Sequence, residues 1–222
     1  MHLVIIVEEE SAEQALRVLL PKILDHEQDA EILRFNGKQR LLRELPNRLR
    51  GYRRQRRDLA IVVMIDRDRQ ECRALKAQLE ACASQAGFAT ISSPDGHGRF
   101  QVVNRIAVEE LEAWFFGDVE AICAAYPGVP TSLDRRRGFR DPDAIAGGTW
   151  EALERVLKDA GHHRAGLAKI KAAREIAAHM QPERNRSASF QYFCRGVRAL
   201  VAQAGPGVSK IRGGVRGILE NS

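Results

Sequence analysis

The chain has 222 residues, with 35 Lys+Arg against 29 Asp+Glu and a formal net charge of +6. Its 44% apolar residues suffice for a buried core, but the longest purely apolar run, residues 59–65, is far short of the roughly 20 residues a membrane-spanning helix needs. Cys72, Cys82, Cys123 and Cys194 form no CxxC pair, which excludes a zinc module or a disulfide framework as the organising principle. The opening apolar residues run straight into Glu8-Glu9-Glu10, unlike a secretion signal. The expectation is a basic cytoplasmic protein without a membrane segment.

Residues 3–7 form a short apolar strand. Ser11, with Gln14 three residues on, reads as a capping box that opens a helix over residues 12–25. A second strand is expected at 30–35. Leu42, Leu45, Leu49 and Tyr52 then recur at helical spacing, with Pro46 marking a kink. Residues 59–65 are apolar on both faces, as a central parallel strand should be. A helix over 70–85 places Cys72, Leu75, Leu79 and Cys82 on one stripe, and further strands are predicted at 88–91 and 99–103 around the turn-rich segment 92–98. From there the pattern turns helical, over 106–116, 119–126, 150–160, 169–180 and 189–204. Alternating strands and helices predict an α/β parallel sheet with right-handed crossovers, here with a helical C-terminal extension. The expected division is an α/β domain at 1–126, a linker or mobile loop at 127–148, the extension at 149–204 and a poorly ordered tail at 205–222.

Two strands end in acids. The first runs into Glu8 and the third into Asp66-Arg67-Asp68. Open α/β sheets bind ligands beyond the carboxyl ends of their strands, where the strand order reverses. If the first and third strands are neighbours there, Glu8 and Asp66 come together, and Asp68 joins their face if the chain stays extended. Carboxylates crowded this way repel one another, and a divalent cation relieves the repulsion. Few hard oxygen ligands favour Mg²⁺, with Mn²⁺ as a substitute.

Val7-Glu8-x-x-Ser11-x-Glu13, followed by an apolar strand ending Asp66-x-Asp68, resembles the Toprim fold. That is the metal-binding domain of bacterial primases, topoisomerases and the nucleases of overcoming-lysogenization-defect proteins. The resemblance implies a Rossmannoid parallel sheet and assigns Glu8, Asp66 and Asp68 to metal binding and catalysis, with Glu9 standing where those proteins usually carry Gly. Residues 105–114 and 185–193 are similar to an uncharacterised bacterial family of short Toprim-like proteins, a resemblance that spans roughly residues 3–200. It implies phosphodiester cleavage, phage defence and an ATPase partner. On a helix starting near Ile106, Glu109 and Glu112 would flank the buried stripe, with Glu112 the further metal-side acid and Glu110 the acid behind it.

Across residues 34–57 a dense cationic run, including Arg34, Lys38, Arg40, Arg43, Arg48, Arg50, Arg53, Arg54, Arg56 and Arg57, faces the single acid Glu44. Such density suits a polyanion. Arg43, Arg50, Arg53, Arg54, Arg57 and Arg67 are the expected nucleic-acid contacts. Tyr52 is the lone aromatic among them, which disfavours a base-stacking platform. Among the remaining features, His97 could enter the crevice as an acid–base group. His162-His163 reads as surface, Lys169, Lys171 and Arg174 as a solvated helix face, and Ser187 or Ser189 as a helix cap. The leading expectation is a Mg²⁺-dependent phosphodiesterase acting on nucleic acid. The alternatives are a non-catalytic nucleic-acid-binding or regulatory subunit, possible as a homo-oligomer, and a receiver-like module phosphorylated on an acid.

Overall fold

A computed structural model describes residues 1–24, 29–55, 58–68 and 70–203. The expected tail at 205–222, with Arg56 and Arg57 of the cationic run, lies outside them. Four strands, β1 (His2–Val7), β2 (Ala30–Arg34), β3 (Leu59–Asp66) and β4 (Val102–Ala107), form one all-parallel sheet in the order β2-β1-β3-β4. The first connection runs to one side of β1 and the next two run to the other, so the strand order reverses between β1 and β3. This is a Rossmann-like α/β fold.

Both central strands are buried on both faces, which their unbroken apolar sequences require. Val4, Ile6, Ile61 and Val63 point to α2 (Lys38–Gln55) and α3 (Cys72–Gln85), where Leu41, Leu45, Leu49, Leu75 and Leu79 cover them. Leu3, Ile5, Val7 and Val62 point the other way, to α1 (Glu10–Leu24) and to the helices that follow the sheet. Those are α4 (Glu112–Phe116), α5 (Val119–Ala125), α6 (Thr149–Asp159), α7 (Lys169–His179) and α8 (Ala188–Gln203).

The division of the chain at 127–148 is not reflected in the packing. That stretch carries three short 3-10 turns, and Val129, Leu133 and Ile145 enter the same apolar cluster as β1, α1 and α8. Turn residues shape its path, but its apolar members are buried, so it is part of the core rather than a linker. The helices expected to form an extension complete one face of the sheet instead. α7 packs along α1, and Lys22 of α1 donates to the carbonyls of Ala177, Ala178 and Met180 at the end of α7, where a cation complements the helix dipole. α8 crosses β4 so closely that a Cβ at Gly196 would stand 2.7 Å from Val103 Cγ1.

Three elements differ from the sequence reading. α1 begins at Glu10, so Ser11 is a buried residue of the first turn rather than its cap. The strand expected at 88–91 shrinks to isolated bridges from Thr90 to Ser93 and Val102, and the one expected at 99–103 starts only at Val102, as β4. It then runs on through Ile106 and Ala107, because these pair with Ile65 and Asp66 of β3, and sheet pairing overrides their helical spacing. The helix expected from 106 therefore starts at Glu112, after a turn.

Among the described residues, no helix is long and apolar enough to cross a membrane.

Candidate active site

β1 and β3 are adjacent and parallel, in a register that pairs Val7 with Met64, so Glu8 and Asp66 emerge together at the carboxyl edge of the sheet. Glu9, in the turn after β1, keeps φ negative; among the described non-glycine residues only Asp68 and His163 have positive φ. One oxygen of Glu8, Oε2, is buried without a hydrogen-bond partner. The Glu8 carboxylate also accepts from the Lys38 backbone N–H at the start of α2. Burial pushes its pKa above the usual range against the pull of the Lys38 charge.

The pKa of Asp66 is pushed well above the ordinary carboxylate range. Burial is the first cause, and the neighbouring carboxylates of Glu112, Glu8, Asp68 and Glu9 add to it. Glu112, 4% exposed, is raised to about 7, again by burial first, with Lys169 opposing and Glu110 and Glu9 reinforcing the shift. Its helix is pinned by Trp114, whose ring packs on Phe190 and Phe193 at 5.0 Å and whose Nε1–H donates to Ser189 Oγ at 3.0 Å. Three carboxyl groups from three segments, Glu8, Asp66 and Glu112, thus share one poorly solvated crevice at the switch point.

Asp68 takes a different path. The chain does not stay extended past β3: Asp68 adopts φ +50°, with its N–H donating to the Glu109 carbonyl at 2.9 Å. That turn points its half-exposed side chain at Lys38, which ion-pairs with it and also donates to the Arg67 carbonyl at 3.3 Å. Arg67 pairs with Glu109. Glu110 turns away from the crevice and accepts from Thr149 N–H, Thr149 Oγ1 and Trp150 N–H, capping α6 at 3.0–3.1 Å. The three acids of the 109–112 segment serve three purposes, and only Glu112 joins Asp66.

Among the described residues, no three His, Cys, Asp or Glu side chains stand together as a ready-made metal cage. Mg²⁺ does not demand one, since it keeps several waters and is held by one or two carboxylates. The donors present fit it: hard oxygens with raised proton affinity and one buried oxygen with no partner.

A cavity of about 990 Å³ opens beside Asp68. Lys38, Arg40 and Arg43 line one side, and Glu109, Glu110, Gly147 and Gly148 line the other. Arg50 and Arg54 continue the Arg43 face along α2 at helical spacing. Arg53 leaves that face to lie over the Phe88 ring at 5.3 Å. Arg57 is outside the described residues.

Other candidates resolve as follows. His97 sits in the segment that leads into β4, and so at the opposite edge of a parallel sheet from the crevice. His163 accepts or donates at Tyr126 Oη, 2.9 Å away. Ser187 caps α8 by accepting from Phe190 N–H, and together with Ser189 it hydrogen-bonds Asp143. Lys169 is half-buried: it lies over the Trp150 ring at 4.6 Å and its charge reaches Glu112. Lys38 was legible only as one of many cations; the signal that distinguishes it is Asn36-Gly37, a turn that starts a helix at the carboxyl end of β2.

Fold and crevice together define the class: a doubly wound α/β protein with an acid-lined switch point. A family model described as "Domain of unknown function (DUF4276)" matches residues 7–198, and the chain belongs to that family. No curated protein and no solved structure matches it.

Proposed function

We propose that the protein is a Mg²⁺-dependent phosphodiesterase of the Toprim-like kind, acting on nucleic acid, with Glu8, Asp66 and Glu112 at its centre and Asp68 at its rim. The observation that carries this reading is the crowding of Asp66 by Glu112 and Glu8 at the switch point, with Glu8 and Glu112 themselves pushed up, first of all by burial. A protein keeps such groups together at a cost in stability. A divalent cation would neutralise them, polarise a phosphoryl oxygen and lower the pKa of an attacking water. Glu8 and Asp66 would hold the cation. Glu112, the carboxyl whose charge acts on Asp66, would complete the cation's surroundings or serve as the acid–base group beside it. The Arg43, Arg50 and Arg54 face of α2 would follow a phosphate backbone away from the crevice. An ATPase partner in phage defence is the setting that the resemblance implies.

The test is cleavage of labelled DNA and RNA, single- and double-stranded, by the purified full chain with Mg²⁺ or Mn²⁺. Asp66→Asn and Glu8→Gln should each lower cutting at least about 100-fold while leaving the circular dichroism spectrum unchanged. Absence of cutting by the wild type on all four substrates, or full activity in either variant, would overturn the assignment. The exposed arginine face of α2 supports a second reading, nucleic-acid binding without cleavage. Salt-sensitive binding that persists in EDTA, with no nicking, would select it.

A further inference from the structure

Tyr192 of α8 is 59% exposed, and among the described residues it is the one exposed aromatic side chain; every other ring is buried or half-buried. One turn on, the exposed Arg195 lays its guanidinium over the Tyr192 ring at 4.5 Å and pairs with no described acid. Beside them Arg105, on the edge strand β4, is half-buried against α8. Gly196 leaves room for its guanidinium, since a Cβ there would stand 2.6 Å from Nη2.

Arg105 also lacks a counter-ion. Its Nε donates to the Tyr192 carbonyl at 2.8 Å and its Nη1 to the Asn104 carbonyl at 3.0 Å. Both acceptors are neutral, so they satisfy its N–H groups and leave its charge uncompensated. The acid whose field it feels, Glu80, is taken by Lys76 at 2.7 Å, by Asn104 Nδ2 at 3.0 Å and by Thr90 Oγ1. Burial, first of all, and then the Arg195 charge lower the Arg105 pKa against the pull of Glu80. Two guanidiniums without a carboxylate thus crowd one open ring. A partly buried cation left unpaired is costly, and an anion brought to the pair relieves it.

We propose that this face binds single-stranded nucleic acid, with a base stacked on Tyr192 and the adjoining phosphates against Arg195 and Arg105. Aromatic rings interleaved with arginines are the means by which proteins hold single strands without reading their sequence. A duplex keeps its bases stacked on one another, so a ring on the protein surface reaches only an unstacked base. The arginine face of α2 offers phosphate contacts but no such ring, because Tyr52 is buried. Arg105 stands two residues before Ala107, which pairs with Asp66, so the patch adjoins the crevice about 7 Å down the edge strand. This inference rests on the nucleic-acid reading above and is independent of any metal.

The experiment is fluorescence anisotropy of the full chain in EDTA with three labelled probes: oligothymidylate of about 16 nucleotides, an abasic strand of the same length and a duplex. Tyr192→Ala should weaken oligothymidylate binding about tenfold and leave the abasic strand within about twofold, since that strand has no base to lose. Tyr192→Phe, which keeps the ring, should stay within about twofold of the wild type on both. Arg195→Gln should weaken both strands and lower the slope of log affinity against log salt by about 0.7, the loss of one phosphate contact. The inference is wrong if Tyr192→Ala leaves oligothymidylate binding unchanged or weakens the abasic strand as much. It is equally wrong if Tyr192→Phe loses as much as Tyr192→Ala, or if Arg195→Gln leaves the salt slope unchanged. A wild type that binds the duplex but neither single strand sinks this inference and spares the nucleic-acid reading; one that binds none of the three sinks both.

Discussion

Replacing Glu112 by Gln isolates the electrostatic cost of the crevice. Gln keeps the shape and the acceptor that faces its own backbone N–H. In the folded protein Glu112 holds its proton up to about 7, against 4.5 for the free group. The sign follows from linkage: the stability gained by holding that proton is fully present below pH 4.5 and is lost as pH rises through about 7. A difference of two to three pKa units corresponds to about 3 kcal/mol at 1.36 kcal/mol per unit. Glu112→Gln should therefore be more stable than the wild type by up to about 3 kcal/mol at pH 8, with the gain shrinking towards pH 5. Urea denaturation of both proteins from pH 5 to 8 without divalent ions measures this. Mg²⁺ should raise the wild-type midpoint at pH 8 and raise that of the variant less. Parallel stability curves across the pH range, or a less stable variant at pH 8, would refute the reasoning.

Two further substitutions test the frame around the crevice. Glu110→Ala removes the acceptor for three donors at the start of α6 and should cost about 1–2 kcal/mol in urea unfolding. It should leave Mn²⁺ affinity in place, since its carboxylate belongs to the helix and not to the crevice. Gly196→Ala would press its methyl group onto Val103 and Arg105 at 2.6–2.7 Å. A loss of about 1–3 kcal/mol is expected, and an unchanged unfolding midpoint would show that β4 and α8 yield more easily than their packing implies.

How much of this was readable in advance depends on the range of the interaction. The two apolar runs with acids at their ends read as strands, but their adjacency entered only as a condition, which the order β2-β1-β3-β4 meets. The position of Asp66 beside Glu8 comes with that pairing. That of Asp68 does not: its direction is set by a left-handed turn whose N–H bonds to Glu109, and no local pattern in Asp66-Arg67-Asp68 announces that. The 106–116 segment misled because Ile106 and Ala107 fit a helical stripe equally well until β3 supplies hydrogen-bond partners. Ser187 was legible as a cap because capping is local. Glu110 was not legible, because its partners lie about 40 residues further along the chain. The segment 127–148 read as a linker since Pro, Gly and charge dominate it, while the few apolar side chains that anchor it carry little weight in composition.

The two faces of the sheet are finished at different points along the chain. Every buried residue of the cluster under α2 and α3 lies between Val4 and Val102, with Ile106 of β4 packed against it, so that side can close as soon as the fourth strand is available. The opposite side waits for residues up to Leu200. During synthesis from the amino end, the apolar stripe of α1 at Leu16, Leu19 and Ile23 would stay uncovered while about 180 more residues are added. At a rate of about 5–20 residues per second, that is an exposure on the order of ten seconds or more, long enough for a chaperone on the ribosome to find it.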